Sequence, residues 1–269
     1  MTVAAGQTLD LTDPAQISAR PYGYNLQFSN ITINGTLRVP SGTVLRATGN
    51  VTISGNVIVM PGALSVAGAT SAPAGSLSGP AGLGQGAQAL SALTIASLRS
   101  AQLGGGAGGR PSRDSNGGHG GGALTILNAG TFTVHSTGSI DASGRNGVTS
   151  ESETASGTGG GGGGLIHIAA KTSISVTGGL RAYGGYGADG YANGGAAASG
   201  GGGGGGGAIV LSSASISDAS GTYAVAGGLG GANVGSTGAA TGGGGGGGVG
   251  DGGNGGTPHA TIRLRVGHH

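Results

Sequence analysis

The stretch SGGGGGGGGAIVLS (199–212) decides how this chain folds, because eight consecutive glycines run directly into an apolar, strand-like segment. Glycine runs recur at 159–164 and 242–248, and the first of these also leads into an apolar segment. A flexible linker explains one such run. A glycine run and a short strand that recur together indicate a structural repeat.

Composition excludes several protein classes. Glycine accounts for 70 of 269 residues, far above globular usage, but strict Gly-X-Y triplets are absent and there are eight prolines, so the chain is not a collagen. Gly-rich disorder usually accompanies high net charge and few β-branched residues. Here the formal net charge is +2, and Val, Ile and Thr are frequent between the glycine runs. We therefore expect an ordered chain.

Charge and hydropathy patterns limit the partners. The ten Arg and one Lys form no basic cluster, so we expect no nucleic-acid partner. No apolar run approaches the ~20 residues that cross a bilayer, so we expect no membrane span. The absence of cysteine removes disulfides and zinc-thiolate sites, and the beginning, MTVAAGQTLDLTD, lacks a signal-peptide pattern. The last three residues, 267–269, are typical of a purification-tag remnant.

Three segments repeat with a period of 42 to 43 residues: 121–144, 163–185 and 206–228. Each opens with Gly-Gly and continues with an alternating apolar pair. Such alternation over three residues, followed by a turn, predicts a short strand with one inward face. The pairs are Leu124/Ile126, Ile166/Ile168 and Ile209/Leu211, and a fourth copy begins at Gly255 and ends in TIRLRV.

The N-terminal part carries the same pairs without long glycine runs. Strands this short, repeated every six or seven residues, suit a parallel solenoid, in which each strand pairs with its counterpart in the next coil. Three strands per turn give about 20 residues per coil. The sequence predicts an all-β fold, a right-handed parallel β-solenoid of about five coils. The pairs are Ile31/Ile33, Leu37/Val39, Val51/Ile53, Val57/Val59 and Leu64/Val66.

The glycine-rich excursions are expected to form a layer of their own. They run from Arg145 to Gly162, from Tyr186 to Gly207 and from Leu229 to Gly256. Because they leave after equivalent strands, they should emerge from one edge of the solenoid and lie side by side. Extended threefold polyglycine directs its N–H and C=O groups outward, and only Gly permits such close backbone approach. The sequence predicts a polyglycine-II-like layer.

The predicted organisation has four parts. Residues 1–70 form an N-terminal cap and the first coils, and 71–122 form an insertion. Within the insertion, 87–103 contains no glycine and favours a helix. Residues 123–266 alternate solenoid coils with excursions, and 267–269 are the tag remnant.

Metal and nucleophile motifs are weak. HGGG (119–122) resembles the oxyanion segment of lipases, but the matching G-x-S-x-G elbow is absent. GGYGAD (184–189) fits the start of a calcium-binding nonapeptide without its tandem partners. In so glycine-rich a chain such matches are expected by chance, and we predict neither a metal nor a cofactor.

Carboxylates are also scattered. Polysaccharide-degrading solenoids need clustered carboxylates, or a carboxylate with Arg or Lys. Glu151 and Glu153 lie in a Ser/Thr-rich excursion, and Asp141 with Arg181 suits an outward surface pair. Such an enzyme is a lesser alternative, and we predict no catalytic residue.

Ice binding is a further alternative, which requires regular outward Thr ladders. The equivalent positions of successive coils are mixed, so the sequence indicates an irregular array. The pairs compared are Thr125 with His167, Thr131 with Ser173, and Thr133 with Ser175.

Two regions resemble known families. The tract GGGGGGGVGDGGNGG (242–256) resembles the distal tail-fibre adhesins of T-even bacteriophages, which bundle polyglycine-II helices and display receptor-binding loops. The stretch ITINGTLRVPSGTVLRATGNVTISGNV (31–57) is similar to passenger regions of secreted bacterial adhesins. The resemblance implies an external adhesion or structural module, and it assigns no role to an individual residue.

We therefore expect a non-catalytic adhesion or receptor-binding module at the cell surface, outside the cell or on a virion. Its partners would be a surface receptor or glycan, or copies of itself in a homo-oligomer. The alternative is a structural subunit that assembles into a filament or surface layer, since solenoid ends expose strand edges. Tyr and Asn suit a binding surface at the excursion tips, because they combine rigid area with adaptable hydrogen bonding. The candidate binding residues are Tyr186, Tyr191, Asn193, Asn233 and Asn254.

Overall fold

The computed structural model describes residues 1–18, 26–61, 116–149, 154–193, 197–217, 220–235 and the strand 262–265. These residues form one short helix, α1 (Pro14–Ser18), and three six-stranded sheets. Sheet A contains, in spatial order, β1 (Thr2–Val3), β4 (Ile31–Ile33), β7 (Val51–Ile53), β10 (Thr131–Val134), β13 (Ser173–Val176) and β16 (Ile216–Ser217). Sheet B contains β2 (Thr8–Asp10), β5 (Thr36–Val39), β8 (Asn56–Val59), β11 (Ser139–Asp141), β14 (Gly179–Arg181) and β17 (Thr222–Ala224). Sheet C contains β3 (Gln27–Phe28), β6 (Thr43–Ala47), β9 (Ala123–Asn128), β12 (Leu165–Ala170), β15 (Ala208–Ser213) and β18 (Ile262–Arg265).

Every strand pairs in parallel with the strand three places along the chain. The chain therefore visits sheets A, B and C in turn, which confirms the prediction of an all-β fold with parallel, solenoid-like stacking. Each sheet contains six strands in the described part, where the sequence predicted about five coils. The short strands β1, β2 and β3 lack the paired apolar positions from which coils were counted.

The three sheets enclose one narrow apolar core. Ile166 lies in register with Leu124 on one side and Ile209 on the other, and all three side chains are at most 1% exposed. The other inward positions are mostly aliphatic, with Phe132 in sheet A and the buried polar side chains of Thr43, Asn128 and Ser213 in sheet C. The predicted repeat of 42 to 43 residues is therefore the offset between the strands β9, β12 and β15 of sheet C. Leu64 and Val66 lie outside the described residues.

The excursions all occupy one corner, between a strand of sheet B and the next strand of sheet C. In the second coil this connection is a tight turn, Pro40 to Gly42, and Gly42 takes a φ of 86° that favours glycine. In later coils it is long. We call 142–149, 182–193 and 225–235 the outgoing segments, and 116–122, 154–164 and 197–207 the returning segments. The predicted insertion is described only from 116 onward, so the helix expected at 87–103 and the tag residues lie outside the described residues.

The three outward faces differ in chemistry. Sheet A carries a column of hydroxyl side chains, sheet B a column with both signs of charge, and sheet C a column that is largely buried. For sheet C, Thr125 is 8% exposed and Val210 2%. The sheet B column is Asp10, Arg38, Ile58, Asp141, Arg181 and Ala224.

Candidate binding surfaces

The outgoing and returning segments are joined by backbone hydrogen bonds with a period of three residues. In the outgoing segment 182–193, the N–H groups of Gly184, Gly187 and Gly190 donate to carbonyls of the next outgoing segment at 2.8 to 2.9 Å. The following residues, Gly185 and Ala188, donate to the returning segment 154–164 at 2.8 and 3.0 Å. A threefold extended backbone points successive N–H groups in three directions, and two of these are filled by neighbouring segments.

The returning segments follow the same rule. Gly157, Gly160 and Gly163 donate to 197–207 at 2.8 to 2.9 Å, and Gly161 and Gly164 donate to the outgoing segment 142–149 at 2.8 and 3.0 Å. Each segment thus contacts the equivalent segment of the next coil and one that runs in the opposite direction. The backbone N–H and C=O groups of these glycines are therefore paired with those of neighbouring segments, without help from side chains.

Glycine is required because the segments are too close for a Cβ atom. A Cβ added to Gly185 would lie 2.0 Å from the carbonyl oxygen of Arg145, and one added to Gly204 would lie 2.1 Å from that of Gly161. By contrast, the nearest atom to a Cβ on Gly230 would be 3.4 Å away. Close approach of the backbones therefore explains why the runs contain so few other residues.

The third direction of each outgoing segment faces outward and carries the side chains. Register along the hydrogen bonds places Asn146, Tyr186 and Leu229 side by side in successive coils. Tyr186 is 52% exposed and Leu229 67%. This row, which we call the aromatic row, continues on one side with Tyr183 and on the other with Asp189. Tyr186 and Leu229 form an apolar strip within this row, on an uncharged backbone layer, and Asn146 and Asp189 are its polar neighbours.

Polar side chains complete the outward hydrogen bonds. Asn146 Oδ1 accepts the N–H of Tyr186 at 2.9 Å, and Asp189 Oδ1 accepts the N–H of Ala232 at 2.6 Å. In each pair the side chain of one coil supplies the acceptor for an N–H of the next coil. Among the described residues no backbone carbonyl accepts these two N–H groups, and the Asn and Asp side chains do so instead.

The predicted binding residues divide into two groups. Tyr186 lies in the aromatic row, whereas Tyr191 and Asn193 lie near the end of the described outgoing segment, about 15 and 22 Å further along at about 3.1 Å per residue. Tyr191 is 36% exposed. The backbone N–H and C=O of Tyr191 pair with Ala155, and those of Asn193 with the hydroxyl of Thr154.

Asn233 lies in the last described outgoing segment beside Gly190, so it is about as far along its segment as Tyr191 is along the neighbouring one. Its Oδ1 accepts the N–H of Gly200 at 2.8 Å, which gives it a structural contact. Asn254 lies outside the described residues. Sequence reasoning missed Leu229 and Asn146 because their equivalence to Tyr186 depends on offsets of 43 and 40 residues, which only aligned excursions would have revealed.

A separate groove of 540 Å³ follows the corner where sheet C turns into sheet A. Arg46 and Lys171 are the cationic side chains of its described lining, and Phe28 and Leu127 contribute apolar surface. Asn128 and Ser213 face the solenoid interior at this corner, and Asn128 Oδ1 and Ser213 Oγ are buried without a hydrogen-bond partner.

Titratable groups in the described part do not assemble into a reactive cluster. Asp141 and Arg181 are register partners, as expected, but Asp141 Oδ1 accepts the Ser143 N–H at 2.9 Å, and the guanidinium lies over Gly179. Among the described residues, the ion pair of this column joins Arg38 and Asp10, whose charged atoms are 3.8 Å apart.

His119 and Asp10 are the described groups with shifted acidity. Burial lowers the pKa of His119, and the charge of Arg145 lowers it further. The Thr12 hydroxyl, which donates to Asp10 Oδ1 at 2.6 Å, lowers the pKa of Asp10. Within the described ranges, no three His, Asp or Glu side chains come close enough together to hold a metal ion.

The described residues contain no helix with the length and apolar character needed to cross a bilayer. The geometry thus defines a parallel β-solenoid with hydrogen-bonded glycine-rich segments along one corner. Comparison of the chain with protein-family models, curated proteins and solved structures finds no match.

Proposed function

We propose that the chain is a non-catalytic adhesion module, at a cell surface, outside the cell or on a virion, whose glycine-rich segments form a polyglycine-II-like layer. We also infer a right-handed solenoid, because parallel crossover connections are right-handed in about 98% of cases. One observation carries the proposal: a backbone layer, paired every third residue, holds Tyr186 and Leu229 exposed in one row.

Rigidity is what makes this layer suitable for binding. Exposed aromatic side chains contribute most to affinity when little conformational entropy is lost on binding. The Tyr186 N–H is held by Asn146 and its carbonyl oxygen accepts the Gly147 N–H at 2.7 Å, so the backbone beneath the ring is fixed on both sides. A cell-surface receptor or glycan would meet a preorganised apolar strip flanked by amide and carboxylate groups.

The proposal is tested by screening purified protein against glycans and whole cells. We expect Tyr186→Ala to lower the affinity for a partner found in the screen by about tenfold or more, which is the effect of losing an interface hot spot. Arg181→Ala, on the outward face of sheet B, is the matched control and should bind like the wild type. The proposal fails if the screen yields no partner or if both variants bind equally well.

A second candidate is a structural subunit that assembles end to end. It is favoured by the strands that end each sheet in the described part, β1, β2 and β3 at one end and β16, β17 and β18 at the other. Such strands present unpaired backbone groups to another copy. Electron microscopy distinguishes the two: filaments support the subunit, and discrete particles support the adhesin.

A further inference from the structure

The outward face of sheet A carries a column made only of hydroxyl side chains. Register runs without a break through six strands, and the members are Thr2, Thr32, Thr52, Thr133, Ser175 and Ser217. Adjacent strands lie about 4.8 Å apart, so the column extends about 24 Å along the solenoid. We call it the hydroxyl ladder.

The sequence predicts an irregular array from the three pairs compared above. Its pairs are indeed register partners, but Thr125 belongs to sheet C and is buried, so it is not part of any exposed face. The ladder forms because the tripeptides ITI and VTI of the N-terminal coils stand in register with FTV at 132–134.

The ladder is chemically uniform, with Thr2 and Ser217 exposed and the four members between them partly exposed. None of the described sheet A strands contains Asp, Glu, Lys or Arg, and no protein group hydrogen-bonds the six hydroxyls in the described part of the chain. A parallel second column is also uncharged and includes Asn50, Thr131 and Ser173, with Asn50 Oδ1 fixed by the Thr131 N–H at 2.9 Å.

The hydroxyls are also held in place. On either side of Thr133 in its strand, Phe132 and Val134 are fully buried, and the same is true of Ile174 and Val176 around Ser175. Threonine, which supplies four of the six hydroxyls, has a restricted χ1 because it is β-branched. The face is therefore a fixed grid, with about 4.8 Å between strands and about 6.6 Å between alternate residues.

We propose that this face binds a crystalline array of water, the surface of ice. An uncharged grid with two regular spacings is poorly suited to a single small molecule, which would contact two or three hydroxyls at most. A periodic ligand contacts all of them at once. The strand repeat lies close to the shorter lattice repeat of hexagonal ice, and each threonine adds a methyl group that limits competing water arrangements.

The test is capture of the purified protein by growing ice, together with thermal hysteresis. We expect the wild type to be captured, and both Thr52→Tyr and Thr133→Tyr to lose capture down to the level of a non-binding reference protein. Ile58→Tyr is the matched control, because it places the same ring in the same coil but on sheet B, and it should be captured like the wild type.

Thr52→Val and Thr133→Val keep the side-chain shape and remove only the hydroxyl, so they separate lost contacts from altered folding. Partial loss of capture with an unchanged circular dichroism spectrum supports the ladder. The inference is overturned if the wild type is excluded from ice like the reference protein, or if Ile58→Tyr loses capture equally. It is also overturned if the same Tyr variants abolish retention on crystalline polysaccharide while ice capture is absent. Tyr186→Ala should leave ice capture unchanged, so this test is independent of the adhesion proposal.

Discussion

Substitution of Gly228 by alanine tests whether the glycine-rich segments are held at backbone contact. In the structure a Cβ at this position would lie 2.0 Å from the Gly185 carbonyl oxygen. Ordinary contact begins at 3.4 Å, so the outgoing segment would have to retreat by about 1.4 Å. Two hydrogen bonds of 2.8 Å would then be broken, from Gly228 to Gly204 and from Gly187 to Leu229.

The expected cost follows from these contacts. Overpacking costs about 1 to 3 kcal/mol, and each lost hydrogen bond about 1 kcal/mol. Replacing glycine by alanine restricts the unfolded chain and offsets about 0.4 to 1 kcal/mol of this. We therefore expect Gly228→Ala to lower the free energy of unfolding by about 2 to 4 kcal/mol.

Gly230 is the control in the same segment, because its nearest backbone atom would be 3.4 Å from a Cβ. Gly230→Ala should be neutral, or stabilising by up to about 1 kcal/mol. Urea unfolding measures both variants, and amide exchange locates the effect, which should appear first at the donor amides of residue 228 and Gly187. Equal stability of the two variants would refute close packing of the segments.

Two further perturbations address the side chains around the layer. Because burial lowers the pKa of His119, its unfolded form binds a proton more readily, so stability should fall as pH drops below about 6.5. His119→Gln should flatten that slope in urea unfolding between pH 7 and 5, and an unchanged slope would count against the burial of this imidazole. Asn146→Ala removes the acceptor of the Tyr186 N–H and should speed exchange of that amide by about tenfold. Asn146→Asp keeps an acceptor oxygen and should exchange like the wild type, and loss of protection in both variants would contradict the contact.

Much of the fold could be predicted because the sequence shows two periods, the alternation of apolar residues within a strand and the repeat between stacked strands. Alternation at pairs such as Ile166/Ile168 reveals an inward face, and the spacing of 42 to 43 residues is the offset between stacked strands. The prediction of about five coils rests on paired apolar positions, which the short strands β1 and β3 lack.

The surfaces were harder to predict, because they depend on register between distant segments. Tyr186 and Tyr191 were found from residue type alone, while Leu229 joins the aromatic row only through the hydrogen bond between Gly187 and Leu229. The hydroxyl ladder likewise joins residues from six coils. Each strand of sheet A contributes only one of them, so the ladder cannot be seen within any single strand sequence.

The same register serves the sheets and the glycine-rich segments, and this coupling explains how so many glycines are ordered. Fixing each backbone costs about 1 to 2 kcal/mol, and glycine has no side chain to bury in return. A strand of sheet B precedes each outgoing segment and a strand of sheet C follows each returning segment, so the segments meet their neighbours already aligned. The segments repeat every three residues and the strands every two, which constrains changes in length. Deleting one residue from 182–193 would rotate the segment by a third of a turn and turn the Tyr186 position toward the position of Gly185, where an added Cβ lies 2.0 Å from the Arg145 carbonyl oxygen. Only changes by multiples of three preserve both the layer and the face that it presents.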